Sequence, residues 1–231
     1  MASRPLLLGH RGARKYAPEN TINAFESAME DGCDGFEFDV RLTSDLQPVV
    51  CHDPKFCGAT VAKTTHQMLF EAASKRRKEI SILKEILCFG ERAFLNIELK
   101  VSGTEELLIA LLKQYPAKRG VVVSSFLAQV ITRLRVLSTE IPLGLICQSR
   151  RQVAKWKDLP IQAVMLHYAL LTQKLLEELK SADKQVFVWT VNSAREMKRF
   201  AEMGVDGIIS DDTKLLVRSL RPEFARRSTN A

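Results

Sequence analysis

A (β/α)8 barrel is the fold this sequence predicts, on three observations. Short apolar, β-branched runs alternate with helix-period segments along nearly all of the 231 residues, the order expected of parallel strands joined by helical crossovers. Nine strand candidates occur, but only Arg41-Leu42-Thr43-Ser44-Asp45-Leu46-Gln47 separates the second from the third. That is too few residues for a parallel crossover, so the third is an antiparallel hairpin partner and eight strands remain. The length is also near the roughly 250 residues typical of such barrels. An open doubly wound sheet is the runner-up, disfavoured because no glycine-rich fingerprint follows the first strand.

In chain order the strands are LLLG (6–9), GFEFDV (35–40), the hairpin partner PVVC (48–51), AFLNIEL (93–99), GVVVS (120–124), PLGLI (142–146), QAVML (162–166), VFVWTV (186–191) and DGII (206–209). Helical periodicity places helices at 21–31, 81–88, 104–114, 127–137, 149–156, 172–182 and 194–203. Only 53–80 has no clear period. It is expected to be a short, basic, lid-like insertion after the second strand, with few apolar anchors beyond Phe56, Met68 and Phe70. After about residue 217 a short helix and a frayed basic tail (218–231) are expected. No linker divides the chain, so 1–231 reads as one catalytic barrel domain.

Composition excludes several classes. No run of about eighteen apolar residues occurs, so no integral membrane span is expected. The start Met-Ala-Ser-Arg-Pro has no signal-peptide character, which makes the cytoplasm the default location. Five cysteines, odd in number and without a Cys-x-x-Cys pair, argue for reduced thiols over disulfides or structural zinc. The net charge of +7 is spread along the chain, apart from Lys75-Arg76-Arg77-Lys78 and the tail. With no nucleic-acid motif beside them, these runs read as solvated faces and no nucleic-acid partner is expected.

Barrel active sites lie at the C-terminal ends of the strands. The first strand ends in His10-Arg11, the hairpin strand in Cys51-His52-Asp53, and the seventh barrel strand in Trp189-Thr190-Val191-Asn192. In GFEFDV, Glu37 and Asp39 share one face while Phe36, Phe38 and Val40 take the other; in FLNIELK, Asn96, Glu98 and Lys100 share a face. Three inward carboxylates repel one another unless a hard cation offsets them, so Glu37, Asp39 and Glu98 are candidate ligands for one Mg2+ or Ca2+. His10 and His52 beside such an ion suit proton removal and donation. Arg11 offers a planar fork, and Lys100 a point charge, for a phosphate. Trp189 is either barrel packing or an apolar wall for the substrate. His66 and His167 keep ordinary structural readings. Ser124 and Ser125 have no histidine–acid partner and read as strand termination with possible hydrogen bonds to ligand. The set suits phosphodiester cleavage.

His10-Arg11-Gly12, Pro18-Glu19-Asn20-Thr21, Glu37-x-Asp39, His52-Asp53, Glu98-x-Lys100, Trp189-Thr190-Val191-Asn192 and Asp206-Gly207-Ile208-Ile209, in that order, resemble the glycerophosphodiester phosphodiesterase family from about residue 6 to 211. The resemblance implies metal-dependent hydrolysis of small glycerophosphodiesters to sn-glycerol 3-phosphate and an alcohol, with His10 and His52 as the acid/base pair. It also implies a cyclic phosphate formed by a glycerol hydroxyl and opened by water. Glu19, Asn20 and Asn192 lie within these motifs and are expected to support the primary groups from behind. Two departures stand out: the insertion at 53–80 is shorter than in many members, and Ser210-Asp211-Asp212-Thr213 lacks the proline common there. Lysophospholipase D-like action on lipids and a non-catalytic phosphate-ester-binding barrel are the alternative readings.

Overall fold

The computed structural model describes residues 4–221. The strands are β1 (Leu6–His10), β2 (Gly35–Leu42), β3 (Pro48–Val50), β4 (Lys55–Phe56), β5 (Ala59–Thr60), β6 (Phe94–Leu99), β7 (Val121–Ser125), β8 (Leu143–Cys147), β9 (Ala163–His167), β10 (Gln185–Trp189) and β11 (Gly207–Ser210). Eight of them, β1, β2 and β6 to β11, pair in parallel, and β1 pairs with both β11 and β2, which closes the barrel. β3 runs antiparallel to the end of β2, with Val40 opposite Val50, as the short connection requires.

The helices are α1 (Ile22–Glu30), α2 (His66–Lys75), α3 (Leu83–Leu87), α4 (Glu105–Gln114), α5 (Ala128–Leu137), α6 (Arg150–Val153), α7 (Gln173–Ser181), α8 (Ala194–Met203) and α9 (Thr213–Leu220). Six begin at a side chain that accepts the amide three residues on: Thr21, Thr65, Ser149, Thr172, Ser193 and Asp212. Helix 149–156 is interrupted, since α6 gives way to a 3-10 turn over Ala154–Asp158. The terminal helix starts at Thr213, earlier than the sequence suggests, and residues 222–231 of the basic tail lie outside the described residues.

Segment 53–80 is more ordered than its sequence pattern suggests. β4 and β5 form a small hairpin and α2 follows it. Its anchors are not the expected Met68 and Phe70, which are exposed, but Val61, Leu69, Ala73 and Ile80, buried against Val49 and Cys51. Phe56 packs at the edge of this cluster.

Alternation along β2 separates two environments. Phe36 and Phe38 face outward into the layer between strands and helices, where Phe25 stacks on Phe36 at 4.3 Å and Phe89 meets Phe36 edge-on at 5.3 Å. The barrel interior is filled by Leu8, Val122, Ile146, Met165, Phe187 and Ile209. Among the described residues no helix is long and apolar enough to cross a membrane.

Asp34, just before β2, fastens the chain ends. Its carboxylate accepts from the Leu7 amide at 2.9 Å and from Arg4 at 2.8 and 2.9 Å, and it pairs with Arg221. Burial alone would raise its pKa, but these donors bring it below the usual carboxylate value. A depressed folded-state pKa contributes stability above the unfolded value that is lost as pH falls through the folded one. Asp34→Ala is expected to cost about 1–3 kcal/mol at neutral pH. In thermal melts the gap from wild type should narrow below about pH 4; a gap independent of pH would show that the charge is not what matters.

Candidate active site

The first loop is shaped by close approach. Gly12 has φ +80°, and a Cβ there would lie 2.6 Å from the Ala24 backbone, so β1 passes tightly over α1 into the Arg11 turn. Strand register then sets the polar side chains in rows. β1 places His10 opposite Glu37, and β6 places Asn96 opposite Glu37 and Glu98 opposite Asp39.

His10 Nδ1 lies 2.7 Å from Asp211 Oδ1, and its Nε2 lies 3.9 Å from Glu37 Oε2. Asn192 donates to Asp211 Oδ2 at 2.7 Å, while its own carbonyl accepts from the Asp211 amide at 2.9 Å and from Ser210 Oγ at 3.0 Å. Burial alone would raise the Asp211 pKa, but His10, Asn192 and Arg14 take it below the ordinary range. On the other side, His52 Nδ1 lies 2.8 Å from Asp53 Oδ1, and the His52 carbonyl accepts from Arg41 Nε at 2.7 Å. Burial pulls the His52 pKa down, which favours neutral imidazole. A neutral imidazole that gives its Nδ1 proton to a carboxylate keeps Nε2 as its basic nitrogen.

The carboxylates are nearly inaccessible: Glu37 is 5% exposed, Asp39 1% and Glu98 7%. One ligand oxygen from each lies within 4.8 Å of the others. Burial, and then the neighbouring carboxylates, push the Glu37 pKa well above the usual value and that of Glu98 to about 7. Asp39 goes the other way, since Lys100, Arg11 and Asn20 more than offset its burial. Lys100 Nζ is 2.6 Å from Glu98 Oε1 and 3.1 Å from Asp39 Oδ1. The Arg11 amide donates to Glu37 at 3.1 Å, and its guanidinium reaches Glu19 at 2.9 Å and Asp39 at 3.2 Å. Asn20 Nδ2 donates to Asp39 Oδ2 at 2.9 Å.

His10, Arg11, Glu37, His52, Glu98 and Lys100 border one cavity of about 140 Å³, closed on its other side by Phe126, Ile146, Met165 and Trp189. Trp189 serves both readings given to it: it lines the cavity, and its indole N–H is tied to the Met165 carbonyl at 3.0 Å. Glu19, Asn20 and Asn192 touch polar groups of the site from behind. Ser124 and Ser125 do close β7, as expected, but their hydroxyls face protein rather than ligand: Ser124 Oγ donates to Asn96 at 2.8 Å and Ser125 Oγ to the Leu99 carbonyl at 2.7 Å, both buried. Sequence reasoning passed over Asp211, Phe126 and Gln148. The signal for Asp211 was its place directly after the last barrel strand.

Residues 10–215 match the model of the glycerophosphoryl diester phosphodiesterase family. The chain belongs to this family. It is 34% identical to a glycerophosphodiester phosphodiesterase of Caldanaerobacter subterraneus subsp. tengcongensis, over 94% of this chain and 98% of the relative. Among solved structures, a putative glycerophosphoryl diester phosphodiesterase from Silicibacter pomeroyi superposes with a TM-score of 0.84 at 24% identity, covering 96% of this chain and 95% of the other. An Oleispira antarctica phosphodiesterase, solved in complex with the product sn-glycerol-3-phosphate, gives 0.82 at 24% identity over 94% and 96%. At that identity both share the barrel fold. As a member of the glycerophosphoryl diester phosphodiesterase family, the chain is an enzyme, a phosphoric diester hydrolase.

Enzymes of this family are generally dependent on a divalent metal, and the donor set here fits one. The buried Asp39 Oδ1 accepts no well-aligned hydrogen bond, although the Lys100 ammonium lies 3.1 Å from it. Three close carboxylates, two of them with raised pKa values, form an all-oxygen pocket whose mutual repulsion a hard cation relieves.

Proposed function

We propose that the chain hydrolyses glycerophosphodiesters to sn-glycerol 3-phosphate and an alcohol, with His10 and His52 moving the protons and Glu37, Asp39 and Glu98 holding one Mg2+ or Ca2+. The observation that carries this reading is the convergence of two imidazoles, each fastened through Nδ1 to an aspartate, on one cavity above the three carboxylates.

The ion, when bound, offsets negative charge that develops on the phosphoryl oxygens. The chain's own residues do the rest. Arg11 and Lys100 bring two fixed positive charges to the same cavity and orient the phosphate. One imidazole Nε2 accepts the proton of the attacking glycerol hydroxyl while the other histidine, protonated, gives its proton to the departing alcohol as the P–O bond breaks; water then opens the cyclic phosphate, with the two rings exchanging roles. Asp211 and Asp53 hold the two rings in register for that exchange. Trp189 and Phe126 keep bulk water from one side of the cavity. The same proposal places the enzyme in the cytoplasm, in keeping with its five free thiols.

A chelator test separates this reading from a metal-free one. Activity on glycerophosphocholine, read as released sn-glycerol 3-phosphate, is expected to vanish in excess EDTA and to return with Mg2+ or Ca2+. Full turnover in the chelator would remove the metal from the proposal.

A further inference from the structure

A second hollow, about 820 Å³, opens beside the first and shares His52 with it. It lies between the β4–β5 hairpin, the end of α2 and the start of α1. Lys55, Arg76, Arg77 and Lys78 line it. Basic runs on a surface are usually just solvated, but these four converge on a concave wall, and none forms an ion pair with a described residue. The same wall carries fewer acids than cations, and only Glu19 among them is paired with arginines, while Asp53 and Glu79 are hydrogen-bonded but keep their negative charge. Glu19 is held by Arg11 and Arg14, Asp53 by His52, and Glu79 by the Ile22 amide and Ser81 Oγ. The hollow therefore offers an excess of positive charge on the side of the cavity that His52 borders.

We propose that this groove receives the leaving alcohol and selects diesters whose alcohol carries an anionic group of its own, a phosphate or a carboxylate. The inference rests on the proposed hydrolysis and adds its substrate class. A substrate phosphate in the first cavity, beside His52, directs its alcohol substituent past that ring into the groove, where a second anion meets the cations. Segment 53–80 supplies much of the groove's wall beside His52, and α2 fixes the basic turn at its end through Leu69 and Ala73. A cationic alcohol such as choline meets repulsion in the same place.

The test compares kcat/KM for bis(glycerophospho)glycerol, glycerophosphoglycerol and glycerophosphocholine. The first, whose leaving alcohol bears a phosphodiester, is expected to exceed the last by about tenfold or more at low salt and to lose that lead near 0.5 M salt. The triple change Arg76→Gln, Arg77→Asn, Lys78→Gln should shrink the ratio mainly through KM. Equal rates for the wild type, or a ratio untouched in a triple variant with native circular dichroism, would overturn the proposal. Should the variant not fold, the wild-type ratio and its salt dependence decide alone. If the wild type turns over none of the three, it is the hydrolysis reading that fails, and equilibrium binding of the same compounds then judges the groove. Sedimentation with phosphatidylglycerol vesicles, together with no discrimination among the soluble diesters, would assign the charge to a lipid surface and sink the idea.

Discussion

His10→Ala is expected to lower kcat by about two to four orders of magnitude while the melting temperature stays close to wild type. The ring is 13% exposed at the mouth of the cavity, so its removal leaves little void in the packed core. Asp211→Asn is the informative companion. An amide in place of the carboxylate can present an N–H to the ring and turn it, and loss of such a support costs about ten- to a hundredfold. The drop should fall on kcat with KM nearly unchanged, since Asp211 acts through the imidazole. A His10→Ala enzyme near wild-type rate would take this histidine out of the chemistry. A wild-type kcat in Asp211→Asn would reduce the 2.7 Å bond to a bystander.

Asp39→Ala should fail in two ways at once. It removes one of three candidate ion ligands, so added Mg2+ or Ca2+ should not restore turnover. It also strips the shared anion from Arg11 and Lys100, which are only 12% and 11% exposed. Deleting one partner of a buried charge cluster typically costs about 3–5 kcal/mol, and urea unfolding in EDTA is the direct measurement. Asp39→Asn should recover part of that stability by keeping the volume and one acceptor, yet stay inactive. An unchanged urea midpoint for Asp39→Ala would mean that solvent, not Asp39, balances the two cations.

The barrel could be read from the sequence because each strand carries a compact apolar run and each crossover a helical period. Their ends move by only a residue or two, as where Trp189 closes β10 although the apolar run continues to Val191. The segment after His52 resisted for physical reasons. Strands of two residues are too short to show alternation, and α2 buries Leu69 and Ala73 while leaving Met68 and Phe70 in solvent, which blurs its stripe. The carboxylate trio was legible because strand alternation fixes facing directions. Asp211 carried only its place directly after the last barrel strand as a signal, and that does not say that it will meet a ring from the other end of the chain. Nor could the two serines be assigned, because whether a hydroxyl faces a ligand or a neighbouring strand depends on pairing.

The bond between His10 and Asp211 spans 201 positions of sequence. On the ribosome, the three acidic groups have all been synthesised once Glu98 emerges, whereas the imidazole of β1 must wait for the final strand to dock. A polypeptide that stops short of β11 therefore lacks both the strand that closes on β1 and the aspartate that holds the His10 ring.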